Sequence, residues 1–324
     1  MTDNNKKFSL KENLLKKRTI ISFLVAFIIL YFLFTKINVN ETIAIIKTTN
    51  PFYYFIAFIM YYLSFPVRGL RWKKLLENAG FKKNTKDLTE ILFISFFVNC
   101  IVPAKLGDLY RGYLLKKNYG VSGSMAIGTI FMERIFDLIM LVTLLGISSF
   151  LIFGNGVPPD VLFALEIGFA ICIILIILLL FMKHQREFIE NLLPDKIKGY
   201  FLRFGKGTSS SVIKSTIPLI VLYTVTIWFF EIGCLFFVMA ALNINVSMPI
   251  IIFVALAASL FTTIPLTPAG LGVVEAVIVG ILLIVGIASL NENIAVSIAI
   301  IHRFITYWGI VIIGGVVFLS SDKQ

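Results

Sequence analysis

Pro103-Ala104-Lys105-Leu106-Gly107-Asp108-Leu109-Tyr110-Arg111 interrupts an apolar run, and its reading decides the architecture of the chain. The run before it, residues 88–102, is 15 residues long. A helix needs about 20 to cross a bilayer. Beyond the interruption the chain turns basic again at Lys116 and Lys117. A short apolar helix, a Pro/Gly break and a return to positive charge predict a re-entrant helix pair entered from the cytoplasm. Such a break is tolerated at membrane depth only inside protein or beside a water-filled cavity. A second break, Pro265-Leu266-Thr267-Pro268-Ala269-Gly270-Leu271-Gly272-Val273-Val274-Glu275, parts the apolar stretches 246–264 and 276–290. No Lys or Arg lies between Lys214 and Arg303, so this pair reads as entered from the outer side.

Each break runs in the order apolar helix, Pro, Gly, acid: Pro103, Gly107, Asp108, then Pro268, Gly272, Glu275. About 26–28 residues after each acid a span carries an arginine, Arg134 or Arg303. The stretch Ala126-Ile127-Gly128-Thr129-Ile130-Phe131-Met132-Glu133-Arg134 aligns with Ala295-Val296-Ser297-Ile298-Ala299-Ile300-Ile301-His302-Arg303. Residues 88–153 and 246–319 thus read as inverted repeats. Two interrupted segments at corresponding positions point to a transport site near the bilayer midplane.

The rest of the chain fits this frame. Of its 324 residues 58% are apolar and 15% charged, and mean hydropathy is +0.94. Soluble domains have about 45–50% apolar and about 25% charged residues, so a soluble enzyme, a disordered chain and a disulfide scaffold are excluded. An all-α polytopic membrane protein is expected, with six spans at 20–35, 51–67, 123–153, 161–182, 216–242 and 294–319 plus the two re-entrant pairs. The first span follows a basic stretch, but no small-residue cleavage site follows Phe34, so it reads as a signal anchor rather than a signal peptide. Ser9 and Glu12 have capping-box spacing, suggesting a short surface helix over 9–18. Residues 19–320 form one membrane domain, between a basic N-terminus (1–18) and a short tail (321–324). In the loop 183–214, Ile189, Leu193, Ile197, Tyr200 and Phe204 recur at helical spacing, which suits either an interfacial helix or one packed under the bundle.

The net charge is +11, and 25 of the 29 Lys and Arg fall in the N-terminus, 68–87, 104–122, 183–214 and the tail. The positive-inside rule then places both termini in the cytoplasm of a plasma-membrane protein, and nucleic acid is not expected as a partner. Cys100, Cys172 and Cys234 lack metal-ligand spacing and read as small buried hydrophobes. GxSxG, HExxH and Walker-type motifs are absent. Neither enzymatic activity nor a metal or cofactor is expected.

Charges inside spans carry the functional reading, because an ionised side chain there costs at least ~2.5–3.5 kcal/mol and faces a cavity or a partner. Glu133 and Asp137 are one turn apart, and Arg134 sits about 100° round the helix. Arg134 and Arg303 offer two guanidinium forks matched to a phosphate, with Asp108 and Glu275 as partners. The pairs could be struts alone, or struts that also line a substrate path. Glu231 reads as a functional or a core acid, and His302 as a core histidine or a proton switch. Glu166 and His184 read as solvent- or interface-facing. Arg68, Arg71 and Trp72 close the second span as interfacial anchors or headgroup contacts.

These motifs resemble the flippase-like membrane domain of lysylphosphatidylglycerol synthases, the multiple peptide resistance factors, and its stand-alone bacterial and archaeal relatives. The matching pieces are Arg71-Trp72, Asn99…Pro103…Gly107-Asp108…Arg111, Glu133-Arg134…Asp137 and Pro265…Pro268-Ala269-Gly270-Leu271-Gly272…Glu275, spread over about residues 15 to 318. The resemblance implies paired re-entrant helices and lipid translocation. It extends the candidate substrate-binding set of Arg134, Arg303, Asp108, Glu275, Glu133 and Asp137 to Arg111, Asn99 and Arg71. The breaks would hinge on Pro103, Gly107, Pro265, Pro268, Gly270 and Gly272. The aminoacyl-transferase domain is absent, so lipid aminoacylation is not implied. Asp108 replaces the more usual Glu, and Ala269 and Val274 replace Gly and Arg. Some relatives accompany glycosyltransferases acting on polyprenyl phosphates. The expected cargo is therefore an anionic or aminoacylated phospholipid or a polyprenyl-phosphate-linked sugar. The alternatives are a proton-coupled solute transporter using Glu133, Asp137 and Glu231, or a non-transporting partner of a separate lipid-modifying transferase.

Overall fold

The computed structural model describes residues 16–185, 189–190, 193–263, 266–285 and 290–323, and every regular element among them is helical. The expected cap at Ser9, most of the basic N-terminus, the hinge Pro265 and Gln324 lie outside the described residues. The helices are α1 Lys17–Thr35, α2 Val39–Lys47, α3 Pro51–Asn78, α4 Thr85–Ile101, α5 Leu106–Tyr119, α6 Gly123–Phe153, α7 Pro159–His184, α8 Asp195–Ser211, α9 Ile217–Ala241, α10 Met248–Phe261, α11 Val273–Ile284, α12 Glu292–Arg303 and α13 Gly309–Ser320. Five stretches are long and apolar enough to cross a membrane: Lys17–Thr35, Gly123–Phe153, Pro159–His184, Lys214–Ala241 and Glu292–Ser320. The pair α2 and α3, bent by 88°, makes a sixth. The chain is an all-α polytopic membrane protein, and its helices fall where the sequence places the six spans.

The outer surface explains the high apolar content. In α7 only Cys172 is buried, while Ile173, Ile174 and Ile177 are exposed. A helix apolar on all sides suits surroundings of lipid. The other two cysteines are also buried and free.

The four helices that flank the two breaks, α4, α5, α10 and α11, are each too short to span. α10 has 14 residues and α11 has 12, about 21 and 18 Å at 1.5 Å per residue, against a hydrocarbon core of about 30 Å. α4 packs on α5, and α10 on α11, so each pair folds back on itself. At the first break Ala104 and Lys105 have φ of 67° and 52°; at the second, Ala269 and Gly270 have φ of 43° and 72°. The breaks share five positions, Pro103-Ala104-Lys105-Leu106-Gly107 and Pro268-Ala269-Gly270-Leu271-Gly272, with Lys for Gly the sole difference. Proline disfavours helix in the residue before it, and two successive left-handed residues then turn the chain.

The structure corrects three boundaries. The second span does not end at Val67: α3 runs on to Asn78. It passes Pro66, whose missing donor leaves one carbonyl unpaired without ending the helix. The break comes at Gly80, with φ of 92°. The linker 36–50 contains α2, capped by the Asn38 side chain, which accepts from the backbone N–H of Asn40 and Glu41. The tail is tied down: the Ser321 hydroxyl donates to Glu90, the Lys323 ammonium donates to Asp87 and Glu90, and Asn118 donates to the Lys323 carbonyl. In the 183–214 loop, α8 packs on α6, with Phe204 against Phe131, and leaves Ile197 and Tyr200 exposed.

Between α12 and α13 the helix widens into a π-turn, Phe304–Trp308, directly after Arg303. The Tyr61 and Tyr62 hydroxyls on α3 donate to the Thr306 and Ile305 carbonyls at 3.3 and 3.2 Å. These bonds satisfy carbonyls that the wider turn frees. π-turns within α-helices cluster at functional sites.

Candidate functional site

The two breaks meet inside the bundle. α4 packs against the short turn Pro268–Gly270, and the Tyr307 hydroxyl donates to the Cys100 carbonyl at 2.9 Å. Two glycines permit the close approaches. A Cβ on Gly107 would collide with the Ser95 carbonyl and the Asn99 side chain. Gly272, with φ of 81°, lies against the Ala26 carbonyl of α1, where the Ser22 hydroxyl donates to the Leu266 carbonyl at 2.8 Å. The Asn99 Oδ1 accepts the Gly107 N–H at 2.8 Å, so the first break does not offer all its helix-terminal donors freely. Asn99→Ala is expected to cost roughly 1–2 kcal/mol, because it leaves that N–H unsatisfied. Its midpoint in a denaturant titration of the detergent-solubilised protein checks this.

Each break holds one arginine through one carboxylate. Arg134 on α6 donates to both Asp108 oxygens, Nη2 at 2.8 and 2.9 Å and Nε at 3.1 Å. Arg303 at the end of α12 donates from Nε to Glu275 Oε1 at 3.1 Å and from Nη2 to the Ala269 carbonyl at 3.1 Å, with its guanidinium 4.9 Å from the Tyr307 ring centre. The two pairs are formed as the sequence suggested.

A second layer lies behind Arg134. Arg71 donates to Asp137 at 2.6 and 3.0 Å and to the Thr224 hydroxyl at 3.0 Å, and its Nε lies 3.6 Å from Glu133. Arg111 donates to Glu133 Oε2 at 2.5 Å and stacks on Trp72, 3.6 Å from its ring centre. The Trp72 indole N–H donates to the Thr129 hydroxyl at 3.1 Å. Arg71, Trp72 and Arg111 are thus deep in the bundle, which corrects the expectation of an interfacial anchor at 68–72. The physical reason is the one-turn spacing of Glu133 and Asp137, which sets two carboxylates of α6 where Arg111 of α5 and Arg71 of α3 reach them, while Arg134 turns to Asp108 at the start of α5. Arg68 is also drawn inward, donating to Glu231 on α9 at 2.7 Å.

In front of these pairs lies a cavity of about 490 Å³. Arg134, Arg303, Asp108, Asp137 and Asn99 line it, together with Arg68, Glu231, Lys105 and His302. Arg71, Arg111, Glu133 and Glu275 do not line it. Threonines 262, 263, 267 and 306 and apolar groups such as Phe96, Leu138 and Trp228 complete the wall. Glu166 and His184 are exposed and do not line this cavity. Sequence reasoning missed the Arg68–Glu231 pair and the position of Lys105 on the wall. Both were visible only as charges next to or within apolar runs.

The sequence profile described as "Lysylphosphatidylglycerol synthase TM region" matches residues 19–314. A UPF0104 membrane protein of Methanocaldococcus jannaschii is 40% identical over 228 residues, covering 70% of this chain and 95% of the relative. One of Pyrococcus horikoshii is 23% identical over 318 residues, covering 88% and 92%. The glycosyltransferase AglD of Haloferax volcanii is 28% identical over 132 residues, 41% of this chain and 21% of that protein.

Proposed function

The chain belongs to the lysylphosphatidylglycerol synthase transmembrane-region family, and on that premise we propose that it translocates a phosphate-bearing membrane lipid between leaflets. The observation that carries this reading is the cavity of about 490 Å³ lined by both Arg134 and Arg303, each held by the carboxylate of one break. Guanidinium forks bind phosphate through paired N–H donors. Asp108 and Glu275 neutralise the arginines while the cavity is empty, and a phosphate entering between them takes over part of that hydrogen bonding. The acyl or prenyl tails stay in lipid along the apolar exterior. The cargo classes are an anionic or aminoacylated phospholipid and a polyprenyl-phosphate-linked sugar; the partial likeness to a glycosyltransferase supports the last. In this reading the protein is no enzyme, lies in the plasma membrane with cytoplasmic termini, and carries its breaks as inverted repeats.

The proton-coupled alternative is weakened by the engagement of its carboxylates, since Glu133, Asp137 and Glu231 all face arginines within 4.0 Å. The test is reconstitution in proteoliposomes with NBD-labelled phosphatidylglycerol, following dithionite quenching. Arg134→Gln and Arg303→Gln should each slow translocation roughly tenfold or more, the loss of one charge-assisted phosphate contact. The variants should elute from size exclusion like the unaltered protein. Unchanged rates in the double variant would remove the phosphate role from both arginines.

A further inference from the structure

Five arginines stand on the cavity wall or directly behind it, and each has a carboxylate partner: Arg68 with Glu231, Arg71 with Asp137, Arg111 with Glu133, Arg134 with Asp108, and Arg303 with Glu275. Lys105 is the sixth cation of the cluster. Among the described residues no carboxylate comes within 4.0 Å of its ammonium, and the ammonium makes no hydrogen bond. The cluster therefore carries one excess positive charge, and that charge lies on the wall beside Arg134 and Asp108.

The backbone gives an independent reason to look at the same residue. Lys105 has φ of 52°, a conformation that glycine adopts freely and a lysine does not. The second break places Gly270 at the corresponding position, with φ of 72°. A strained residue is retained where the surrounding structure over-determines it, and functional sites are where such residues gather. An unpaired ammonium inside a bundle adds a solvation cost. Both costs fall on one side chain.

Beside the Arg68 Nε, whose guanidinium is held by Glu231, the cavity's buried groups without a hydrogen-bond partner are on uncharged side chains: His302 Nδ1, Thr267 Oγ1 and the Trp228 indole N–H, with His302 and Thr267 9% and 3% exposed. Both residues line the cavity, from the side of the second break.

We infer that Lys105 meets the anionic group of the cargo, and that the cargo headgroup is net negative with a neutral, hydrogen-bonding substituent. An aminoacylated lipid fits poorly. A lysyl ester brings two ammonium groups against one phosphate charge, into a cluster already positive and with each carboxylate that lines the cavity engaged by an arginine. A polyhydroxyl headgroup instead supplies donors and acceptors to His302 and Thr267. This inference rests on the translocator reading and narrows its cargo.

The experiment measures binding to the purified full chain in detergent, by native mass spectrometry. The probes are dioctanoylphosphatidylglycerol, its lysyl ester, citronellyl phosphoryl mannose and inorganic phosphate. Lys105→Gly is the decisive variant, because glycine relaxes the left-handed turn. It should melt higher than the unaltered protein and yet bind phosphatidylglycerol and the phosphoryl mannose roughly tenfold more weakly, the loss of one charge-assisted contact. Lys105→Arg should retain binding. The lysyl ester should bind more weakly than its parent. Equal binding of the two lipids, or undiminished binding in Lys105→Gly, overturns the inference. If at the same time Arg134→Gln and Arg303→Gln still stop translocation, the translocator reading stands without it. Inorganic phosphate binding as tightly as the lipids would assign the site to a free anion and overturn both.

Discussion

Glu133→Gln should be among the most destabilising single substitutions in this protein, by about 3–5 kcal/mol. Glu133 is 3% exposed. It accepts from Arg111 at 2.5 Å and stands 3.6 Å from Arg71. Neutralising it leaves Arg111 with no carboxylate within 4.0 Å among the described residues, held only by its stack on Trp72. Arg71 is less affected, because Asp137 and Thr224 still hold it. The asymmetry gives the test its control. The double variant Arg111→Met/Glu133→Gln removes both charges of the pair, and removing a buried pair whole is far cheaper than orphaning one member. Unfolding by titration with SDS should place the double variant well above the single one. A single variant as stable as the unaltered protein would show that Arg111 is solvated rather than paired.

Gly107→Val should be as severe, by about 3 kcal/mol, at the upper end of overpacking costs. The new side chain meets the Ser95 carbonyl, which belongs to the backbone of α4 and cannot rotate away, and the Asn99 amide that receives the Gly107 N–H. The hairpin of α4 and α5 must open. Asp108 is the next residue, so opening withdraws both oxygens from Arg134. Translocation should therefore fall together with stability. A variant with normal stability and a normal rate would mean that the two helices need no close contact at the break.

The readable part of the fold came from residues whose effect is local. Hydropathy over a window marks a helix that must face lipid, and this located the spans. Proline and glycine disfavour helix locally, and Pro103 with Gly107 and Pro268 with Gly272 mark both breaks, whereas Pro66 leaves α3 continuous. The length of α3 is not legible in this way, because hydropathy falls at the first arginines while the helix continues to Asn78. Arg68 and Arg71 look like membrane-edge residues when they follow an apolar run, and only their partners show otherwise. Those partners are distant in sequence: Arg71 and Asp137 are 66 residues apart, and Arg68 and Glu231 are 163 apart.

The same distinction divides the candidate site. Arg134 with Asp108 and Arg303 with Glu275 could be paired from sequence because they repeat at similar intervals, 26 and 28 residues, after similar breaks. Composition, membrane class, the helical stretches and the two interrupted segments were settled by sequence alone, since each is a property of short windows. Tertiary packing alone decided which charges face the cavity. It turned Glu133 and Asp137 toward Arg111 and Arg71, closed that layer behind Arg134, brought the two breaks together, and left Lys105 on the wall without a carboxylate. The physical reason is that a charge's partner is chosen by which helix faces meet, and helix faces meet through the packing of side chains from distant parts of the chain.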